Sequence, residues 1–144
     1  MKSSNESGQK KDVVLDTNIF ISGTFWEGDS YQVLELWRND EIRLVISEEI
    51  IDEILRIFSG FKIQLSQEGK EKLMNQIRNK SLMIEPTERF NVVLDVSDNK
   101  FLECAVGHAS FVITNDKHLL SLKEFRGVRM VTPREFLRKV YENS

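Results

Sequence analysis

The chain is poor in the residues that carry much familiar chemistry. It has a single cysteine, Cys104, which excludes an internal disulfide framework and any multi-thiolate metal site. Its two histidines, His108 and His118, are too few for a His-rich zinc centre. Cys104 lies among Phe101, Leu102, Ala105 and Val106, a setting that suits a buried structural thiol better than a catalytic one. One thiol with no partner fits a reducing cytoplasm. No apolar run approaches the roughly 20 residues of a membrane span. The first residues are rich in Ser, Asn, Gln and Lys with no apolar stretch, so they do not read as a secretory signal. Residues 1–11 are expected to form a disordered tail, and 12–144 one folded domain.

There is no large excess of charge of either sign. The net charge of −3 argues against a sequence-indifferent coat for nucleic acid. It still permits an enzyme that grips RNA locally through metal ions and a few basic side chains. At 144 residues, with 40% apolar and 30% charged content, the chain suits one ordinary globular domain. A chain of this size buries roughly 68–70% of its unfolded surface and needs no staples.

Proline occurs only at Pro86 and Pro133, so the apolar patterning is seldom interrupted. Short apolar runs predict strands at 12–16, 43–46, 111–114 and 128–131, with a weaker one at 82–84. Helical spacing predicts helices over 30–40, 48–58 and 66–80. Ser47 can cap the second of these, whose stripe is Ile50, Ile51, Ile54, Leu55 and Phe58. A fourth helix runs from Ser97 or Asp98 to about His108. Thr132-Pro133-Arg134-Glu135 is a capping box with proline in the first helical position, so a last helix opens there. Alternating strands and helices predict an α/β fold, a mostly parallel sheet covered on both faces.

In such sheets ligands bind at the carboxyl ends of the strands. Asp16 closes the first strand and Asp116 follows Thr114 at the end of another, each beside a small polar residue and an asparagine (Thr17-Asn18, Thr114-Asn115). Either acid alone also suits a turn or a helix cap. Asp98 lies on the inward side of its helix, where an ionised carboxylate is costly without a partner. The plain alternative is an N-cap bonding first-turn amides. Glu103 points away from that stripe and reads as solvated surface. Of the acids at 48–53, Asp52 and Glu49 lie off the apolar stripe. Glu48 and Glu53 flank its two edges, and the helical wheel does not choose between them. Four carboxylates in one place call for a cation. Oxygen-only ligands favour Mg²⁺ or Mn²⁺, and such ions support phosphodiester hydrolysis without a protein nucleophile.

These segments together resemble the PIN domain family: Val13-Val-Leu-Asp16-Thr-Asn18-Ile-Phe-Ile-Ser, Ser47-Glu-Glu-Ile-Ile-Asp-Glu53-Ile-Leu, Asp98-Asn-Lys-Phe-Leu-Glu-Cys-Ala105 and Val112-Ile-Thr-Asn-Asp116. More closely, they are similar to toxin components of type II toxin–antitoxin pairs. The resemblance runs from about Val13 to Leu137. It implies a three-layer sandwich with five strands in the order 3-2-1-4-5 and a metal-dependent ribonuclease. It places the family's helix glutamate on Glu53, and makes Asp16, Glu53, Asp98 and Asp116 the catalytic, metal-binding acids. Thr17, Asn18 and Thr114 would support them, and Mg²⁺ or Mn²⁺ would be the cofactor. The segment Asp95-Val-Ser97 is sparser in acids than in relatives, which weakens Asp95 as a further ligand.

Arg38, Arg43, Lys62, Lys100 and Lys117 are the basic side chains considered for RNA phosphates, each with a plain alternative as solvated surface charge. His118 reads as a surface residue. The segment from Phe25 to Gly28, with Trp26, suits either a dimer or antitoxin surface or a loop packed on the core. The resemblance implies RNA as substrate, a small antitoxin as partner and a homodimer. Two other readings stand beside it. One is a PIN-fold RNA- or protein-binding module that is weakly active or inactive. The other is a phosphotransfer enzyme of another doubly wound family. Asn18, where haloacid-dehalogenase-like phosphatases place a second aspartate, speaks against the latter.

Overall fold

The computed structural model describes residues 10–60 and 66–142. Its centre is a six-stranded sheet. In chain order the strands are β1 (Lys11–Leu15), β2 (Ile42–Ile46), β3 (Ser81–Met83), β4 (Phe111–Ile113), β5 (Glu124–Phe125) and β6 (Val128–Val131). The helices are α1 (Thr17–Phe25), α2 (Asp29–Arg38), α3 (Glu48–Gly60), α4 (Gln67–Asn79), α5 (Asn99–Ala105), α6 (Lys117–Leu120) and α7 (Pro133–Glu142), with a 3₁₀ turn at Val96–Asp98 leading into α5.

The strand order is β3-β2-β1-β4-β6-β5. All pairs are parallel except β5 with β6. The five expected strands therefore occur in the expected order, and the count of five is corrected to six. The extra strand is the two-residue β5, joined to β6 by Arg126 and Gly127 with φ of 49° and 85°. Two successive positive φ values suit the turn geometry that two-residue hairpins favour, where glycine is at home and arginine is uncommon. β1 begins at Lys11, so this residue belongs to the sheet rather than to a tail. The remainder of the expected tail, residues 1–9, lies outside the described residues.

Apart from Lys11, Asp12 and Arg43, the central strands β1, β2 and β4 are apolar and buried; Val13, Val14, Val45, Val112 and Ile113 are 0% exposed. Burial on both faces explains why these strands read as continuous apolar runs rather than alternating ones. Trp37, Phe20, Phe101, Phe136 and Ile51 close the core from the helices. The capping box is present as expected: the Thr132 amide donates to Glu135 Oε1 at 2.9 Å, and the Glu135 amide donates to Thr132 Oγ1 at 3.1 Å.

Two helices go beyond the sequence expectations. In α1, Ile19, Phe20, Ile21 and Gly23 are all buried, so the helix is apolar around most of its circumference and shows no single stripe. The four-residue α6 follows directly on Asp116. Trp26 is 51% exposed at the end of α1, while Phe25 packs edge-on against Phe58.

Candidate active site

β1 and β4 pair in parallel with Leu15 opposite Ile113, so their carboxyl ends finish side by side. The Asp16 amide continues the ladder by donating to the Ile113 carbonyl at 3.0 Å. Asp16 is 6% exposed. Its Oδ1 accepts the Asn18 amide at 3.1 Å, which caps α1, and its Oδ2 accepts the Thr114 hydroxyl at 2.7 Å. Thr114 Oγ1 in turn accepts the Asp116 amide at 2.9 Å. Asp116 Oδ1 caps α6 by accepting the amides of His118 at 2.8 Å and Leu119 at 3.1 Å. Both aspartates thus do serve as helix caps, and this capping fixes how each is presented at the strand ends.

Asp98 behaves differently. It stands at the N-cap of α5, yet its side chain bonds none of the first-turn amides. Burial raises its pKa from 3.8 to about 6, helped by the neighbouring charges of Asp116, Asp95 and Asp16. Burial also raises Asp16, with Asp116 and Glu53 adding to it, while the bonds from Thr114 and Asn18 pull the other way. Asp16, Asp98 and Asp116 are therefore electrostatic neighbours, and none of them has an ion pair among the described residues. Asp95 is tied up locally, accepting the amide and hydroxyl of Ser97.

Glu53 joins the group from α3, where its side chain is 15% exposed. Glu48, its rival on the other edge of the stripe, is drawn off toward α4, where Arg78 grips it at 2.8 and 3.3 Å. The Thr17 hydroxyl is buried next to Asp16 with no hydrogen-bond partner among the described residues. Asn18 is exposed.

The basic residues divide sharply. Lys117 is exposed at the start of α6, beside Asp116. Lys100 is no surface cation: it is 8% exposed, and its ammonium contacts Glu53 at 2.6 Å and the Ser97 carbonyl at 2.7 Å. Arg43 is placed at the opposite end of the sheet from the acids, in register with Asp12 at the start of β1, and holds that residue at 2.7 and 3.0 Å. Arg38 ends α2 in a pair with Glu35 at 3.0 Å, just ahead of β2, and is likewise not brought to the acids. Lys62 lies outside the described residues.

Glu103 is also corrected, from solvated surface to buried anchor. Its carboxylate accepts the Phe90 amide at 2.9 Å and pairs with Arg89 at 3.0 Å. One turn back, Asn99 Oδ1 accepts the amides of Val92 at 3.0 Å and Val93 at 3.1 Å. The segment leading to Asp98 is thus moored along α5. Cys104 is fully buried and its thiol is pushed up to about 12 by that burial, which removes it as a nucleophile.

Among the described residues, no three His, Cys, Asp or Glu side chains are gathered tightly enough to form a ready-made metal cage. An open set of oxygen donors suits Mg²⁺, which keeps several waters and binds through one or two carboxylates, better than it suits zinc. The uncapped Asp98 and the partnerless Thr17 hydroxyl fit such a hydrated ion. Among the described residues, no helix is long and apolar enough to cross a membrane.

Comparison with known proteins agrees with this geometry. An uncharacterized protein of the archaeon Methanocaldococcus jannaschii is 33% identical over 143 residues, covering 87% of this chain and 88% of the archaeal one. Residues 12–118 match the PIN domain, a family whose members are in general metal-dependent nucleases. The match takes in Asp16, Glu53, Asp98 and Asp116, and the chain belongs to the PIN domain family.

Proposed function

We propose that this chain is a Mg²⁺- or Mn²⁺-dependent endoribonuclease that hydrolyses RNA phosphodiester bonds. The observation that carries this reading is the group formed by Asp16 and Asp116, at the carboxyl ends of β1 and β4, with Asp98 at the start of α5, mutually repelling and without an ion pair among the described residues. These three acids would hold the metal, with Glu53 completing the acidic site beside them. When bound, the ion supplies Lewis acidity toward the phosphodiester and lowers the pKa of water.

The chain's own residues do the positioning. Thr114 keeps Asp16 turned into the site and fixes the amide of Asp116 through one hydroxyl. The first amides of α6 hold the Asp116 Oδ1, leaving its Oδ2 with no hydrogen-bond donor among the described residues. Asn18 and Lys117, both exposed and close in sequence to Asp16 and Asp116, would on this reading meet the substrate's backbone. Thr17 lends a buried hydroxyl at the same edge.

The toxin role, with RNA as substrate in the cytoplasm, a small antitoxin as partner and a homodimeric form, extends this reading. Its support is the four-motif resemblance. A second reading, a weakly active or inactive PIN-fold module for RNA or protein, is favoured by the absence of a preformed metal cage among the described residues. Cleavage of a mixed single-stranded RNA pool in Mn²⁺, Mg²⁺ or EDTA separates the two, with Asp16→Asn as control. The nuclease reading expects cleavage that is lost in EDTA and in the variant. A folded protein that cleaves with neither metal, and whose melting temperature neither metal raises, would be the binding module.

A further inference from the structure

The four acids are not equivalent. Glu53 already has a cation: its Oε1 lies 2.6 Å from the Lys100 ammonium, with Arg56 further off at 3.8 Å. The Lys100 and Glu53 side chains are only 9% and 15% exposed. Lys100 is held from two further sides, by the Ser97 carbonyl at 2.7 Å and by the Phe101 ring at 5.2 Å. A lysine this buried is tolerated when its charge is paired and its donors are satisfied, and both conditions hold here. Asp16, Asp98 and Asp116 have no such ion pair among the described residues. Asp98 feels the charges of Asp116, Asp95 and Asp16, and Lys100 offsets them in part.

We infer that the Lys100 ammonium occupies the role of a second divalent cation, so that the site takes one Mg²⁺ or Mn²⁺, on the side of Asp16, Asp98 and Asp116. This rests on the metal-dependent reading above. Charge supports it. Four carboxylates and Lys100 carry −3, which one divalent ion reduces to −1. A second ion held by Glu53 would lie against the Lys100 ammonium, which is already 2.6 Å from that carboxylate, and two cations crowded onto one carboxylate repel. Placement supports it as well. Lys100 follows Asp98 by two residues at the start of α5, so the element that presents the metal-binding aspartate also delivers the ammonium to Glu53. Lys100 is on this account a positioning residue. It acts through Glu53, and its removal changes how many ions bind.

The test counts Mn²⁺ per chain on the full-length protein, by calorimetric titration and by electron paramagnetic resonance of unbound Mn²⁺. The expected results are one ion for the wild type, one for Lys100→Arg and two for Lys100→Met, which keeps an unbranched chain of similar length and removes the charge. Lys100→Gln provides the same count should the methionine variant fail to melt cooperatively. Two ions on the wild type, or a single ion on the neutral variants, would overturn the assignment of Lys100 and leave the nuclease reading standing. A wild type that binds no Mn²⁺ would instead overturn the metal-dependent reading on which this one rests.

Discussion

Thr114 and Asp16 are joined across the β1–β4 seam by a 2.7 Å hydrogen bond, although 98 residues separate them in sequence. Thr114 is 0% exposed, and its hydroxyl also takes the amide of Asp116. Thr114→Val keeps the shape but strands a buried carboxylate oxygen and an amide. Each such group costs about 1–3 kcal/mol, so urea unfolding should show a loss in that range. Metal-dependent cleavage should fall on the order of tenfold or more, about 1.4 kcal/mol per factor of ten. Thr114→Ser restores the donor and should recover most of both. Equal activity in the valine and serine variants would show that this bond does not position Asp16.

Asp98 ties stability to pH in the opposite sense from an ordinary carboxylate. Burial and then its acidic neighbours raise it to about 6 in the folded state, against 3.8 for an unperturbed aspartate. Between those values the folded protein keeps a proton that the unfolded chain has released. The stabilisation is full below pH 3.8 and is lost as pH rises through 6. At neutral pH in EDTA, Asp98→Asn should therefore be more stable than wild type. Asp98 is only half-buried, so solvent screening cuts the gain to roughly 1 kcal/mol. Melting curves at pH 5 and pH 7.5 check this: the variant's advantage should be larger at pH 7.5. Mn²⁺ should reverse the order by stabilising the wild type more. An advantage that does not change with pH would remove Asp98 as the cause.

Glu103 anchors the segment before Asp98 from beneath, with a carboxylate 7% exposed that takes the Phe90 amide and Arg89. Glu103→Ala leaves a half-buried amide unpaired and frees Arg89 on that side, an expected loss of about 1–3 kcal/mol. Glu49 holds the same Arg89 from an exposed position, at 50% exposure. Glu49→Ala should then cost under about 1 kcal/mol. Chemical denaturation of the two variants gives the comparison directly. Equal costs would mean that the Glu103 mooring is no stronger than a surface pair.

What could be read in advance follows from where the information lies. The central strands read as apolar runs because their residues are buried on both faces of the sheet, and acids at strand ends mark the ligand side of an open α/β sheet. β5 was illegible because an Arg126-Gly127 turn lacks the usual Asn-Gly or Asp-Gly signal. α1 was illegible because helical periodicity needs a polar face, and buried Ile19, Phe20, Ile21 and Gly23 leave little of one. The choice between Glu48 and Glu53 depends on Arg78 and Lys100, partners 30 and 47 residues away that no helical wheel contains. Glu103 was misread for the same kind of reason: its wheel position looks outward from the sheet, but the segment carrying Phe90 returns to cover it.

Gly23 sets the approach of α1 to α2, and so the seating of the helix that Asp16 caps. A Cβ at this position would lie 2.7 Å from the Ser30 carbonyl oxygen and 2.7 Å from Leu34 Cδ1. Leu34 is itself 0% exposed, and Ser30 presents backbone, so neither can move aside cheaply. On helix propensity alone Gly23→Ala should stabilise, by up to about 1 kcal/mol. The clash has the larger magnitude, since overpacking a core commonly costs about 1–3 kcal/mol. The variant should therefore lose stability in thermal or urea unfolding. Because α1 starts at the residue after Asp16, a shift of the helix also moves the Asn18 amide that holds Asp16 Oδ1. Mn²⁺ should raise the melting temperature of the variant less than that of the wild type. A variant that melts at or above the wild-type temperature would show that α1 and α2 can part without cost, and that the close approach at Gly23 is not what seats the helix.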